Sequence, residues 1–294
     1  QHPQAAPPDV AQLGPARPAA VPEVTKENVV RAVRSFSRAS APGPSGLRAD
    51  HLKETLSTAH GDEVASHLVA LCQLLARGEA PALVAPHLAG ARLHALPKKQ
   101  GGVRPIAVGE TLRRLVSKVL CQAVREDAVN HFCPLQVGVG ARMGGEAAVH
   151  ATRQWVDRNQ ADVNKVLLKV DFKNAFNSVD RLAILSETRA AFPGLACWAD
   201  WCYTSSSALL FGEHTLQSSQ GVQQGDPLGP LLFSAALQPA LRQAAQCPVE
   251  LCFSYLDDVV IAGRADVVAS SLAALQTTAA AAGLVLEIGR ASCR

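Results

Sequence analysis

Apolar positions along this chain recur at two spacings, and the spacings divide it into helices and strands. Val29, Val30, Val33 and Phe36 repeat at three and four, predicting a helix from the N-cap residue Thr25 to about Arg38. Ala41-Pro-Gly-Pro-Ser-Gly46 breaks the chain there. Helical stretches follow over 47–59 and 63–77, the second with Val64, Leu68, Leu71 and Leu75 on one face. Alternation then takes over: 91–96 reads as a strand, and Lys98-Lys-Gln-Gly-Gly-Val-Arg104 as a hairpin tip. A long helix is expected over 110–129, with Leu112, Leu115, Val116 and Val119 turned inward.

The second half carries shorter signals. Residues 165–172 form an apolar run that ends on an acid, and a helix over 228–245 follows Pro227. Strand-like runs at 251–255 and 259–262 flank a single acidic pair. A helix over 267–282 and a last strand at 284–286 complete the pattern. Helices on one side of a small, mostly antiparallel sheet make an α+β fold. The first 24 residues hold six Pro and six Ala without apolar period, so a disordered leader is expected there.

Composition narrows the class. At 294 residues, 48% hydrophobic and 18% charged, the chain can bury a core as one large domain or two smaller ones. Its apolar runs fall short of the ~18–20 residues of a membrane span, and no secretory signal opens it. The eight cysteines are scattered without a C-x-x-C pair. That argues against a zinc ribbon or disulfide scaffold and for a reducing, intracellular setting. Net charge is +3, but Arg92, Lys98, Lys99, Arg104, Arg113, Arg114, Lys118 and Arg125 face only Glu110. That segment carries +7 and the remainder −4. A solvated helix face explains most such runs, yet this concentration around a Gly-Gly turn also suits an anionic partner.

Three features carry candidate chemistry. Lys169-Val-Asp-Phe-Lys-Asn-Ala-Phe176 is a strand finishing at Asp171. Phe253-Ser-Tyr-Leu-Asp-Asp-Val-Val-Ile261 joins two strands through Asp257 and Asp258. Gly221-Val-Gln-Gln-Gly-Asp-Pro-Leu-Gly-Pro230 is a glycine-rich loop entering a helix. Singly, an Asp-Asp pair is usually turn chemistry, Asp171 a cap, and Gly-Asp-Pro a helix start. Together, two distant strands each deliver carboxylate to a strand end, where repulsion must be relieved by protons or a cation. Oxygen ligands without His or Cys point to Mg²⁺, and two such ions about 3.5–4 Å apart serve phosphoryl transfer.

This set resembles the reverse transcriptases, in particular those of non-LTR retrotransposons. Tyr255-Leu-Asp-Asp258 is similar to the family's Tyr-x-Asp-Asp box, and Asp171–Phe176 to its first palm motif, Asp-x-x-x-Ala-Phe. Gln223–Phe233 is similar to the Gln-Gly loop and following helix, Leu96–Ile106 to the fingers hairpin, and Ala41–Gly46 to an upstream segment. The resemblance implies a right-hand polymerase with fingers over 25–164 and palm over 165–287. It implies an RNA-directed DNA polymerase using an RNA template, a DNA primer and dNTPs, with no membrane and a nuclear site of action.

By the same resemblance, Asp171 and Asp257 would bind two Mg²⁺ ions, for which Mn²⁺ could substitute, and Asp258 would assist. Phe176 would exclude a ribose 2′-hydroxyl, against the alternative of a core Phe. Lys98 or Lys99, with Arg104, would hold the triphosphate. Gln224 and Gly225 would pack on the nascent base pair, and Tyr255 would support the primer end. Gly138-Val-Gly-Ala-Arg-Met-Gly144 is not a dinucleotide fingerprint and reads as a structural or template-side loop. The competing functions are a non-catalytic nucleic-acid-binding remnant and an RNA-dependent RNA polymerase, which Phe176 disfavours.

Beyond Glu287 the family's Asn and Lys are expected, but the chain reads Ile288-Gly-Arg-Ala-Ser-Cys-Arg294. Codons for those residues can spell a sequence like a short-read adapter, so 288–294 is expected to be a translated library artefact. A thumb is expected to be missing, with weak processive synthesis as the consequence.

Overall fold

The computed structural model describes residues 3–97 and 103–287. Lys98, Lys99, the Arg104 side chain and the 288–294 stretch lie outside the described residues.

The chain opens with its Pro/Ala-rich stretch. It forms two short 3-10 turns, Val10–Leu13 and Pro18–Ala20. The Ala5 N–H donates to Ser219 Oγ at 3.1 Å, and the Val24 N–H to Gln73 Oε1 at 2.8 Å. Val21 and Val24 are buried. Proline bars a helical ladder there, but not burial of Val21 and Val24.

Helix α1 (Lys26–Arg34) begins where Thr25 Oγ1 accepts the Asn28 N–H. Helices α2 (Ala49–Thr55), α3 (Gly61–Ala76) and α4 (Ala85–Leu88) follow, then the hairpin of β1 (Ala91–Pro97) and β2 (Val103–Gly109). The long helix expected next is two, α5 (Thr111–Ala123) and α6 (Arg125–Phe132). They part at Val124, with φ −97° and ψ 14°, after which Glu126 and Asp127 suit the first turn of a new helix.

Beyond them lie α7 (Gly144–Asn159), β3 (Lys165–Phe172), α8 (Ala175–Ser178), α9 (Arg181–Ala191) and α10 (Pro193–Tyr203). The hairpin of β4 (Ser207–Phe211) and β5 (His214–Ser218) precedes α11 (Gly229–Ala245). The chain ends through β6 (Leu251–Tyr255), β7 (Asp258–Arg264), α12 (Ala265–Ala281) and β8 (Leu286–Glu287).

These elements gather into two compact units interleaved along the sequence. The first is Gln1–Val124 with Leu185–Gly229, the second Arg125–Ile184 with Pro230–Arg294. Residues 125–164 thus cluster with β3 and the acidic hairpin, and 185–229 with the β1–β2 hairpin.

Each unit has its own sheet. The first orders its strands β2-β1-β4-β5, with β4 parallel to β1 and the other pairs antiparallel. Ala91, Ala107 and Leu209 pack at its centre, and α10 stacks Trp198 on Trp201 at 5.4 Å. The second orders β6-β7-β3-β8, antiparallel throughout. Leu168, Val170 and Phe172 turn one face of β3 inward, and α12 packs against β3 and β7. The fold is α+β, as the periodicity predicts.

Candidate active site

In the second unit, alternation along β3 decides what its acid can do. Leu168, Val170 and Phe172 are buried, so Lys169 and Asp171 stand on the other, more open face. A register slip of one residue would bury the carboxylate and expose three apolar side chains. The antiparallel register runs from Lys165↔Arg264 to Val170↔Val259. Carried one residue on, it sets Asp171 opposite Asp258, the first residue of β7. On its other side Asp171 pairs with Glu287 of β8.

Tyr255 pairs with Asp258, so Leu256 and Asp257 form the two-residue turn of the β6–β7 hairpin. Leu256 has φ 56°, a conformation costing a residue with a Cβ about 1–3 kcal/mol. Tyr255, at the end of β6, is 44% exposed.

A backbone donor meets Asp171 and a cationic one meets Asp258. The Phe172 N–H donates to Asp171 Oδ1 at 2.9 Å. Lys169 Nζ lies 3.1 Å from Asp258 Oδ1, with both side chains about half exposed. Among the described residues, no three His, Cys, Asp or Glu side chains are grouped to enclose a metal ion by themselves. The oxygen-only donors at this sheet end nevertheless fit a hard divalent cation. Such an ion uses few protein ligands and completes its shell with phosphate and water.

Phe176 is on α8, two residues beyond its N-cap Asn174, which takes a left-handed conformation at φ 51°. Its ring stacks on Phe233 at 4.5 Å and 20°. Phe233 is fully buried whereas Phe176 is only partly covered, so Phe176 borders the core without being enclosed by it.

The remaining candidates belong to the first unit. Gly225 has φ 154°, and a Cβ there would collide with the Ala107 carbonyl oxygen of β2. The close backbone approach this glycine permits is to the protein's own strand. Gln224 is partly exposed beside it. Arg104 has a backbone position opposite Leu96 on the β1–β2 hairpin.

The loop carrying Gln224 and Gly225 is held by a buried network that the motifs did not reveal. Arg113 Nε donates to Asp226 Oδ2 at 2.8 Å, and its Nη2 to the Tyr203 hydroxyl at 2.9 Å. Asp226 Oδ1 accepts the Leu228 N–H at 3.0 Å. Gln223 Nε2 and Arg113 Nη1 both donate to the Ala89 carbonyl. Burial opposes the charge on Arg113, but Tyr203 and Asp226 outweigh it and raise the guanidinium pKa. Burial also pushes the Tyr203 hydroxyl up, keeping it a neutral acceptor.

This network corrects the reading of the basic segment. Arg113 and Arg114 are 0% and 9% exposed. Arg114 Nη2 donates to the Ala41 carbonyl at 2.7 Å, and Lys118 Nζ to Ser35 Oγ at 3.0 Å. Part of the charge is therefore used internally, where unpaired guanidinium groups would be costly. The sequence signal was Arg113 on the apolar face of α5, in step with Val116 and Leu120.

Residues 96–288 match the protein family described as reverse transcriptase (RNA-dependent DNA polymerase). The chain is 30% identical, over 90% of its length, to the retrotransposable element SLACS 132 kDa protein of Trypanosoma brucei gambiense. It spans 22% of that relative's length. Among solved structures, apo telomerase from Candida tropicalis, truncated from its C-terminal domain, superposes with a TM-score of 0.51 and 12% identity. The match covers 72% of this chain and 51% of that one. Telomerase from Candida albicans in complex with a TWJ fragment of telomeric RNA gives a TM-score of 0.54 and 9% identity, covering 70% and 42%. At such identities these likenesses show the fold alone.

Proposed function

The chain belongs to the reverse transcriptase (RNA-dependent DNA polymerase) family, and on that premise we propose that it performs nucleotidyl transfer for a retroelement. It extends a DNA primer on an RNA template with deoxynucleoside triphosphates. In this proposal fingers span 25–164 and palm 165–287, although the two compact units divide the chain after 124, 184 and 229 instead. The observation that carries this reading is the register that sets Asp171 opposite Asp258 beside the Asp257 turn, on an open strand face.

Asp171 and Asp257 would hold two divalent cations, magnesium or in substitution manganese, with Asp258 assisting. When bound, such ions activate the primer 3′-hydroxyl and stabilise the leaving pyrophosphate oxygens. The chain's own residues orient the reactants. Lys169 keeps Asp258 in place through its ion pair. Phe176 lies beneath the sugar and leaves no room for a 2′-hydroxyl. Lys98 or Lys99, with Arg104, clamps the triphosphate, because cations there stabilise charge on the leaving group. Gln224 and Gly225 pack on the nascent base pair, and Tyr255 supports the primer end.

Primer extension on an RNA template, with Asp257→Asn as the control, tests the reading. The unsubstituted chain should extend with dNTPs in preference to rNTPs. Asp257→Asn should lose about 10²–10³-fold in rate while still binding primer–template. Equal binding with no extension by either protein would make the chain a nucleic-acid-binding remnant. Preferential rNTP incorporation would make it an RNA polymerase.

A further inference from the structure

One buried amide of the second unit is devoted to the turn that carries Asp257. Gln136 follows α6 in a short irregular segment and is 0% exposed. Its Oε1 accepts the N–H groups of Gly138, at 2.8 Å, and Leu256, at 2.9 Å. Its Nε2 donates to Ser254 Oγ at 2.8 Å and to the Leu256 carbonyl at 3.0 Å. The full hydrogen-bonding capacity of a primary amide is used. The pattern also fixes the amide orientation, since the reverse would set two donors against an NH₂ group.

The backbone around it adds to the hold. The Val137 N–H donates to the Ser254 carbonyl at 2.9 Å, and the Ser254 N–H to the Leu135 carbonyl at 2.6 Å. A Cβ on Gly138 would come within 2.7 Å of the Leu256 nitrogen. Leu256 is the non-glycine residue of the hairpin turn at positive φ. Its peptide groups on both sides, N–H and C=O, are tied to a single side chain. An ordinary core amide satisfies whatever polar groups it meets; this one grips a strained turn immediately before the metal-binding candidate Asp257.

We propose that Gln136 is a positioning residue for nucleotidyl transfer, holding the Leu256–Asp257 turn so that Asp257 presents its carboxylate in one orientation. The inference rests on the polymerase reading. Misplacing a reacting group by about 1 Å can cost about 100-fold in rate. Loss of an orienting partner typically weakens metal affinity about 10–100-fold.

The test compares the full chain with Gln136→Met, which keeps the length but no hydrogen bonds, and Gln136→Glu, which keeps both acceptor roles. Pre-steady-state extension separates a misplaced site from a smaller active fraction. Gln136→Met should lower the burst rate about 100-fold with unchanged amplitude. It should weaken Mn²⁺ binding, followed by electron paramagnetic resonance, about tenfold, with primer–template affinity within about twofold of the parent. Hydrogen exchange in the peptide containing Leu256 should accelerate, and Gln136→Glu should fall between the two. If Gln136→Met does not fold, Ser254→Ala takes its place, with the same direction in rate and Mn²⁺ affinity. A parental rate and Mn²⁺ affinity in these variants, or a loss confined to amplitude, overturns the proposal. If the parent neither extends primer nor binds Mn²⁺ better than Asp257→Asn, the polymerase reading itself fails and takes this inference with it.

Discussion

The Arg113 guanidinium and the Asp226 carboxylate meet at 2.8 Å with side chains 1% and 2% exposed, so the loop bearing Gln224 and Gly225 is anchored by a desolvated ion pair. Removing one partner strands the other charge in the core, whereas removing both does not. Asp226→Leu and Arg113→Met should each destabilise the chain by about 3–5 kcal/mol. The double variant should cost much less than their sum. Urea denaturation of the four proteins measures this coupling, and simple additivity would show that the pair is not a unit.

Gly225 combines a backbone angle that disfavours side chains with a collision against Ala107. Gly225→Ala should destabilise by about 1–3 kcal/mol and more than Gly212→Ala. Gly212 also has positive φ, at 57°, but nothing lies within 4 Å of a Cβ there. Thermal melting of both variants reads the difference, to which the collision and the more extreme φ at Gly225 both contribute.

Thiol chemistry should follow burial. Burial pushes Cys72 and Cys121 up to about 12 and Cys252 up to about 11, from 9.0, while Cys133 is exposed. Only a thiolate attacks a disulfide reagent. At about pH 8 Cys133 should therefore label first among these cysteines, ahead of Cys72, Cys121 and Cys252. The sign for stability follows from the raised folded values. The contribution is complete below the unfolded pKa near 9 and is lost as pH rises towards 11–12. Denaturation midpoints should fall across that window, and less steeply in Cys121→Ala.

Phe176 is partly covered and stacked on Phe233 at 4.5 Å. Phe176→Val should raise ribonucleotide incorporation relative to deoxynucleotide by about one to two orders of magnitude. It should destabilise only modestly, since an aromatic pair adds about 0.5–1.5 kcal/mol beyond its burial. Competition between the two nucleotide classes on one template reads the ratio. An unchanged ratio with a large fall in stability would return Phe176 to a purely structural role.

The elements legible in the sequence were those whose own residues set their period. β3, with its buried Leu168, Val170 and Phe172, is legible over its full span and α11 nearly so, while α1 stops at Arg34, short of the Arg38 that the apolar spacing predicts. The break at Val124 is not legible, because the apolar period continues through it on both sides. The β4–β5 hairpin is not legible in the sequence either, since β4 depends on pairing with β1, more than a hundred residues earlier. The acidic motifs were visible because they are local: Asp257 and Asp258 are adjacent, and Asp171 closes its own strand.

The sequence by itself determined which residues supply carboxylate, which glycine-rich loop accompanies them and which family the chain belongs to. Those properties follow from residue identity and spacing along one strand or turn. The tertiary structure alone decided that Asp171 stands opposite Asp258, that Arg113 is spent on Asp226 rather than offered to a ligand, and that Gln136 grips the turn before Asp257. Each joins residues roughly ninety to one hundred and twenty positions apart. Such pairings arise from strand register and from the cost of leaving a buried charge or amide unsatisfied, and neither leaves a periodic trace in the chain.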